Sequence, residues 1–189
     1  MLLDLVTKSR SIRRYHEDIP IPYDLLKDLI NLTRFCPSAM NYQPIRYFIS
    51  CTSAKNELIF PCLTWPQFGD WICPGTGQRP PAYIILLGDF KAAASFGLDA
   101  GIAAQTILLG AAEAGLGGCF MVRIDRELLR QNLSIPEEYK VLLVLALGKP
   151  AEKVVIDPVG SDGITKFWRD ADSVQHVSKR SLGEIIVDF

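Results

Sequence analysis

The spacing of apolar residues along the chain predicts helices in several segments. Residues 23–35 carry leucine or isoleucine at every third or fourth position, which is the period of an amphipathic helix, and Pro37 ends that helix. Residues 99–114 are apolar almost all round and rich in alanine. We therefore expect this helix either at the centre of a large core or at a dimer interface. Shorter helices are predicted at residues 2–9, at residues 53–62 with Ser53 as the cap, and after Asp125.

Runs of apolar residues without a helical period predict strands. The run at residues 82–87 is continuously apolar, as expected for a buried strand. After Pro150 the chain turns polar, and we expect irregular structure there up to a last ordered piece at residues 181–187. Because helices separate the strands without a repeat or a linker, we predict one domain over residues 1–189, with a sheet wrapped by helices. The other predicted strands are residues 46–51, 118–124 and 140–147.

Composition and charge narrow the class of protein. Hydrophobic residues make up 49% of the chain and charged residues 22%, which is typical of a folded globular protein. The net charge of -1 gives no overall field that would draw the chain to nucleic acid or to a membrane surface. Any anion site must therefore be local. The longest apolar runs are too short to span a bilayer, and the N-terminus lacks the apolar segment of a signal peptide.

The cysteines argue against a zinc site or a disulfide framework. Their number, five, is odd, no two form a C-x-x-C pair, and only His16 and His176 could complete a mixed site. We therefore expect reduced thiols in a cytoplasmic protein. Two histidines also give no persuasive nucleophile and base arrangement. If the protein is an enzyme, we expect a cofactor to carry the chemistry.

Basic residues gather near both ends of the chain. The segment at residues 8–15 holds three arginines and two serines. The planar fork of a guanidinium matches phosphate oxygens, and a serine adds a hydroxyl donor. A solvated charge run after a short helix is the alternative interpretation. Near the C-terminus, Lys179 and Arg180 form a second basic pair, which on its own indicates nothing.

The loop at residues 37–44 is polar and is stiffened by a proline at each end. The amides of Asn41 and Gln43 offer paired donors and acceptors, which are the groups needed to recognise the edge of a planar heterocycle. An ordinary polar turn between two prolines is the alternative, and the residues alone do not separate the two.

The glycines at residues 115–118 superficially resemble a nucleotide-binding loop. A phosphate-binding glycine run follows a strand and opens a helix, so that helix N–H groups meet the phosphate. Here the glycines follow a predicted helix and precede a predicted strand. We therefore predict a helix C-cap followed by close backbone packing.

The segment at residues 64–81 is a long loop that contains four prolines, three glycines and two tryptophans. Loops of this length are often lids or binding elements. Its aromatic residues could fill the core or form a wall over a flat ligand, and we predict a lid over the substrate for them. These residues are Trp65, Phe68 and Trp71.

Taken in order, these segments resemble the FMN-dependent nitroreductase family. Residues 10–15, Arg-Ser-Ile-Arg-Arg-Tyr, look like the family's N-terminal R-S-x-R-x-[FY] motif, and residues 37–44 look like its P-S-x-x-N-x-Q-P loop. The helix and glycine turn at 97–118, the Ala-Leu-Gly-Lys-Pro segment at 146–150 and the basic motif at 177–182 follow in the family's order. No single motif is specific to this family, but five motifs in this order over most of the chain are specific to it.

The resemblance implies an α+β sandwich with a mixed or antiparallel sheet, assembled as an intertwined homodimer with two FMN molecules at the subunit interface. It implies that Arg13 lies along the ribityl chain or near the flavin pyrimidine, and that backbone groups of Met121 and Val122 face the reactive edge of the ring. The implied phosphate ligands are Arg10, Ser11, Lys179 and Arg180. The implied ring-side loop residues, in part from the partner subunit, are Pro37, Ser38, Ala39, Asn41 and Gln43.

Several positions depart from the family pattern. Ser9 stands where the family often has an arginine, so one phosphate contact is either missing or supplied elsewhere. Ala39 replaces a serine of the loop. The lysine expected before the strand at residue 82 has no clear match, and Gln78 or Arg79 could substitute for it. We expect Arg14 to face solvent.

The activity that the resemblance implies is a ping-pong reaction. NAD(P)H reduces the flavin and leaves, and a small acceptor such as a nitroaromatic or a quinone enters the same slot. A protein of a different class, an FMN-binding carrier, sensor or partner-fed electron-transfer protein without NAD(P)H turnover, is equally compatible with the motifs. The sequence does not identify the physiological acceptor or the choice between NADH and NADPH.

Overall fold

A four-stranded antiparallel sheet lies at the centre of the computed structural model, which describes residues 1–66 and 73–188. Its strand order is β1-β2-β4-β3, and neighbouring strands are antiparallel throughout. All four predicted strands are confirmed, with ends shifted by up to three residues. They are β1 (Ile45–Ser50), β2 (Ala82–Asp89), β3 (Gly117–Met121) and β4 (Tyr139–Gly148).

The described part of the chain contains six α-helices. Asp125 caps one of them, as predicted, because its side chain accepts a hydrogen bond from the Leu128 N–H at 3.0 Å. The predicted cap at Ser53 is wrong. Thr52 is the extended residue that precedes that helix, and the Ser53 hydroxyl donates instead to Glu57 at 3.2 Å. The helices are α1 (Leu2–Lys8), α2 (Tyr23–Thr33), α3 (Ser53–Ile59), α4 (Gly97–Glu113), α5 (Arg126–Leu133) and α6 (Leu182–Ile185).

Both faces of the sheet are buried, each against its own core. Side chains alternate between the faces along a strand. Tyr83 and Ile85 of β2 therefore face one core, whereas Ile84 and Leu86 face the other. The first core includes residues of the N-terminal segment, α3 and α5, and the second includes residues of α2 and α4. Burial of each large apolar side chain contributes roughly 1.5–3 kcal/mol to stability.

Helix α4 lies against the second core with only one of its faces. Ala103, Ala104 and Ile107 are buried there, and Gly110 lets α2 approach so closely that a Cβ on it would lie 2.6 Å from the Leu32 side chain. The opposite face remains apolar and exposed, with Leu98 82% exposed. This helix is thus a core helix on one side and an apolar surface on the other.

A second, three-stranded sheet occupies the segment after Pro150, where we predicted irregular structure, and that prediction is wrong. Its order is β5-β7-β6, with β5 and β7 parallel and β6 and β7 antiparallel. The strands are two to five residues long, and β6 and β7 are largely polar, so no apolar alternation reveals the sheet. They are β5 (Val154–Pro158), β6 (Trp168–Arg169) and β7 (Gln175–Lys179). Helices beside antiparallel and mixed sheets make this an α+β fold, as the resemblance implied.

Among the described residues, no helix combines the length and apolar character that a membrane span requires. The same residues contain no cluster of three or more His, Cys, Asp or Glu side chains that could hold a metal ion.

Candidate functional site

The N-terminal segment crosses the end of β3 in close contact with its glycines. The Ile12 N–H donates to the Gly118 carbonyl at 2.9 Å, and Ser11 forms a parallel bridge with the same glycine. A Cβ on Gly117 would lie 2.4 Å from the Ile12 side chain, so only glycine permits this approach. Gly115 has a φ of +73° just after α4. The glycine run is therefore a helix C-cap and a packing surface, as predicted.

A cavity of about 250 Å³ brings the two basic ends of the chain together. We call it the basic cavity. Arg10 and Arg13 lie on one side of it, and Lys179 of β7 lies on the other. No carboxylate of the described residues lines it. Its lining residues are Ser9, Arg10, Ser11, Arg13, Phe167, Val177 and Lys179.

Two cations of the basic cavity, Arg10 and Lys179, have no carboxylate partner among the described residues. Arg10 donates to the Val6 carbonyl at 2.6 Å, while its buried Nε has no hydrogen-bond partner among the described residues. Burial lowers the pKa of this guanidinium. Lys179 makes no ion pair with the described residues. A bound anion would relieve both the charge repulsion and the unsatisfied donor.

Two residues near the basic cavity have intramolecular partners. The Ser9 hydroxyl donates to the Leu108 carbonyl of α4 at 3.5 Å. Ser9 thus joins the cavity wall to α4 at the position where the family often has an arginine. Arg180 lies 3.5 Å from the Glu184 carboxylate and does not line the cavity.

A second cavity, of about 170 Å³, adjoins the first because Arg13 lines both. We call it the ring cavity. The backbone N–H groups of Val122 and Arg123 donate to no backbone group of the described residues, so they remain available as donors. Its other lining residues are Thr64, Pro66, Cys119, Phe120 and Met121.

Sequence reasoning missed Glu152, whose carboxylate holds the backbone of the arginine segment. One carboxylate oxygen accepts the backbone N–H groups of Arg13 and, at 3.2 Å, of Arg14. The other oxygen accepts from the Arg169 guanidinium, and the Glu152 side chain is only 1% exposed. The residue lies in a polar segment, and nothing in its immediate sequence marks it as buried.

The expectation that Arg14 faces solvent is wrong. Arg14 is half-buried, and its carbonyl accepts a hydrogen bond from the Ala151 N–H at 2.9 Å. Burial, followed by the positive charge of Arg169, lowers the pKa of the Arg14 guanidinium. The residue is therefore part of the junction between the N-terminal segment and the second sheet.

The loop at residues 37–44 lies apart from both cavities. Pro37, Ser38 and Gln43 line a separate cavity of about 210 Å³, which shares no lining residue with the basic or ring cavity. Ala39 and Asn41 begin and end a single 3-10 turn. A single subunit therefore does not bring the loop residues together with Arg10, Arg13 and Lys179.

The backbone of this loop is strained. Met40, Asn41 and Gln43 have φ values of 50°, 58° and 49°, in the left-handed region that costs a non-glycine residue about 1 kcal/mol or more. Such conformations persist where the surroundings over-determine them, and they concentrate at ligand-binding sites.

Asp99, near the start of α4, anchors the strained loop. Its two carboxylate oxygens accept from the Ser38 hydroxyl at 3.1 Å and from the Ala39 N–H at 3.2 Å. The Ser38 hydroxyl in turn accepts from the Gln43 N–H at 2.9 Å. Asp99 is 8% exposed. Sequence reasoning missed this role, although an acid in the first turn of a largely apolar helix was a usable signal.

Of the three aromatic residues predicted to form a lid, Phe68 and Trp71 lie outside the described residues. Trp65 is 6% exposed and belongs to the first core, where its ring lies 5.9 Å from that of Phe60. Trp65 also does not line either cavity. This placement favours the core-filling interpretation for Trp65 over a wall above a ligand.

Neither substitute for the family lysine lines the basic or ring cavity. The Gln78 carbonyl accepts the Tyr15 N–H at 3.1 Å. The Arg79 guanidinium lies over the Phe60 ring, 4.4 Å from its centroid. In this structure the two residues support the N-terminal segment and a different cavity.

The fold and these cavities describe an α+β protein in which a cavity lined by basic side chains adjoins a second cavity through Arg13. The model of the nitroreductase family matches residues 6–67 and 72–149. Since this is well over half of the chain, the protein belongs to the nitroreductase family.

Individual relatives agree with this assignment. An NADH dehydrogenase of Thermus thermophilus is 28% identical to the chain, over 77% of this chain and 85% of the relative. A nitroreductase family protein from Streptococcus pneumoniae has a TM-score of 0.68 at 18% identity, over 88% of this chain and 99% of that one. An FMN-dependent nitroreductase from Clostridium difficile has a TM-score of 0.64 at 23% identity, over 80% of this chain and 88% of that one. The two structures establish likeness of fold.

Proposed function

We propose that this protein is a homodimeric, FMN-dependent oxidoreductase that uses NAD(P)H to reduce small acceptors such as nitroaromatics or quinones. The observation that carries the proposal is the contact between two cavities through Arg13. One cavity is cationic and fits a phosphate, and the other offers backbone donors beside a flat surface. The printed names of relatives, NADH dehydrogenase and FMN-dependent nitroreductase, point to the same chemistry.

The basic cavity fits the phosphate of FMN. Arg10, Ser11 and Lys179 present donors around it, and the buried Nε of Arg10 lacks a partner. Charge-assisted hydrogen bonds of this kind are about twice as strong as neutral ones. In the proposed complex Arg180 joins these ligands, which requires its side chain to leave Glu184.

The ring cavity fits the flavin ring system. When bound there, the flavin accepts and donates hydride, which is chemistry that no protein side chain supplies. Arg13 lies between the phosphate end and the ring end, where its positive charge stabilises negative charge that develops on the bound ring. The free N–H of Val122, next to Met121, orients the reactive edge.

Among the residues that the structure describes, no carboxylate or histidine lines the ring cavity. The acceptor's protons therefore come from solvent in this proposal, and the residues of the cavity bind and orient instead of transferring protons. Nicotinamide and acceptor would occupy the same slot in turn, since a stacked nicotinamide requires no dedicated binding motif.

The homodimer is proposed because one subunit leaves the site incomplete. The strained loop around Asn41 and Gln43 does not reach the ring cavity of its own subunit. In the proposed dimer it approaches the flavin of the partner subunit. Apolar side chains that one subunit leaves exposed would be covered in that dimer. They lie on α4 and in the C-terminal segment and include Leu98, Ile102, Leu182, Ile185, Ile186 and Val187.

Steady-state turnover tests the proposal. The purified protein, with its flavin, is mixed with NADH or NADPH and a quinone, and nicotinamide oxidation is followed. We expect sustained oxidation that depends on the quinone. A flavin that stays bound but is reduced by neither nicotinamide would contradict the enzyme assignment and would support a carrier or partner-fed electron-transfer protein.

A further inference from the structure

A cavity of about 290 Å³ lies outside the proposed flavin site and shares no lining residue with the basic, ring or loop cavities. We call it the Arg79 cavity. Tyr83 of β2, Phe60 and the prolines at positions 80 and 81 form its inner wall, and Arg79 lies over Phe60. The inference drawn from it does not depend on the proposed flavin chemistry.

Two hydrogen-bond donors in this cavity have no protein acceptor among the described residues. The Arg79 side chain is held by the Phe60 ring at 4.4 Å, and its buried Nε has no partner. Tyr83 is 1% exposed, and its hydroxyl makes no hydrogen bond to the described residues. Tyr83 and Arg79 both line the cavity, so a ligand with acceptor atoms would pair with the Tyr83 hydroxyl and the Arg79 guanidinium.

The other polar groups of the inner wall are already satisfied. Asn56 accepts from the Ser50 hydroxyl and donates to the Pro81 carbonyl, both at 2.7 Å. Burial raises the pKa of the Tyr83 hydroxyl, and the nearby Arg79 charge opposes this only in part, so the group remains a donor at neutral pH. The acceptor groups of a ligand therefore belong beside Arg79 and Tyr83.

Among the described residues, one cation, Arg79, and three carboxylates, those of Glu17, Asp18 and Glu57, line the Arg79 cavity. Glu17 holds the loop at Arg79, because one carboxylate oxygen accepts from the Gly77 N–H at 2.6 Å and the Arg79 N–H at 3.2 Å. Asp18 and Glu57 are exposed at the mouth. A purely anionic ligand would be repelled by these carboxylates, whereas a ligand with a cationic outer end would be attracted.

We infer that the Arg79 cavity binds a small amphoteric molecule of the amino-acid type. Its carboxylate accepts hydrogen bonds from Arg79 and Tyr83, its ammonium group faces Asp18 and Glu57, and its apolar part lies against Phe60. The cavity volume lies just below the usual range for drug-sized ligands, which suits a small molecule.

Calorimetry with L-phenylalanine on the purified, flavin-loaded protein tests this inference. We expect saturable binding to the wild-type protein. Two analogues serve as matched ligand controls: 3-phenylpropionate, which lacks the ammonium group, and 2-phenylethylamine, which lacks the carboxylate. Each should bind at least about tenfold more weakly, since each loses charge-assisted contacts. Absence of L-phenylalanine binding, or equal binding of either analogue, would overturn the inference.

Two variants locate the site. Tyr83→Phe removes only the hydroxyl and preserves the packing of the core, and we expect about fivefold weaker L-phenylalanine binding. Arg79→Gln should weaken binding more than about tenfold. Tyr23→Phe and Lys27→Gln, on the exposed face of α2, are the matched controls and should bind as the wild-type protein does. If the Arg79→Gln protein fails to fold, the L-phenylalanine affinity of the Tyr83→Phe protein decides whether the cavity is the binding site. Unchanged affinity in a folded Tyr83→Phe protein contradicts the inference.

Discussion

One oxygen of the buried Glu152 carboxylate accepts a hydrogen bond from the backbone N–H of Arg13. Its other oxygen accepts from Arg169 of β6. One side chain thus joins the N-terminal arginine segment to the sheet whose strand β7 carries Lys179. Because the two walls of the basic cavity come from these two elements, Glu152 determines their separation.

Replacement of Glu152 tests this junction. Glu152→Gln removes the charge that pairs with Arg169, and loss of one member of a buried ion pair typically costs about 3–5 kcal/mol. We expect the free energy of unfolding in urea to fall by about that amount, and FMN retention on gel filtration to fall with it. Glu137→Gln, at an exposed position, is the matched control and should change stability by less than about 0.5 kcal/mol. Equal stability of the two variants would show that Glu152 does not connect the two elements.

The phosphate site makes a prediction about FMN affinity. Arg10→Ala and Lys179→Ala each remove a charged donor from the basic cavity, so each should weaken FMN binding by about 1.5–3 kcal/mol. Fluorescence quenching on titration of the apoprotein with FMN measures this change. Lys27→Ala removes a surface cation from α2 and should leave affinity unchanged. If both cavity variants retain wild-type affinity, the phosphate does not bind there.

The anchoring of the strained loop by Asp99 makes a third prediction. Asp99→Asn replaces one of two accepting oxygens by a donor, so either Ser38 or the Ala39 N–H loses its acceptor. We expect the free energy of unfolding to fall by about 1–3 kcal/mol. In the proposed dimer, acceptor turnover should fall as well, because the loop contacts the partner's flavin. Asp28→Asn, on the exposed side of α2, is the control. Unchanged stability and turnover in Asp99→Asn would contradict the anchoring role.

His176 makes stability depend on pH. Its Nε2 lies 3.2 Å from Asp170 and its Nδ1 lies 2.7 Å from Asp157, while its ring stacks on Trp168 at 4.0 Å. Hydrogen bonds to Asp170 and then to Asp157 raise the pKa of His176. Both ring nitrogens donate only when the imidazole is protonated.

A raised pKa in the folded state means that protonation stabilises the fold. This contribution is fully present below the unfolded-state pKa of about 6.5, and it is lost as pH rises through the raised pKa. We therefore expect His176→Gln to lower the melting temperature more at about pH 6 than at about pH 9. His16→Gln, at an exposed position, should show no such difference. A deficit of the same size at both pH values would contradict the role of the charged imidazole.

The central sheet could be predicted because its determinants are local. The continuous apolar run of β2, the apolar period of α2 and the nearly uniform apolar character of α4 are visible in any short window of sequence. The second sheet could not be predicted in this way. Its strand β5 pairs in parallel with β7 about twenty residues away, and polar contacts, such as those of Gln175 and His176, hold it together.

The residues of the candidate site also differ in how far the sequence alone reveals them. Arg10 and Lys179 could be proposed only because the order of motifs resembled a family, since each is by itself an ordinary basic residue. Glu152 and Asp99 escaped notice because their roles depend on burial, and distant segments of the chain create that burial. The expectation that Arg14 faces solvent is wrong for the same reason, because the distant residues 151 and 152 form hydrogen bonds with its backbone.

The most direct measurement compares FMN with riboflavin, which is the same ring system without the phosphate. Each is titrated into the apoprotein, and binding is followed by the visible spectrum and by flavin fluorescence. If the basic cavity holds the phosphate and the ring cavity the flavin, FMN binds saturably, riboflavin binds at least about tenfold more weakly, and Arg10→Ala abolishes most of that difference. A protein that binds neither compound, or that binds both equally, would contradict the proposed flavin site.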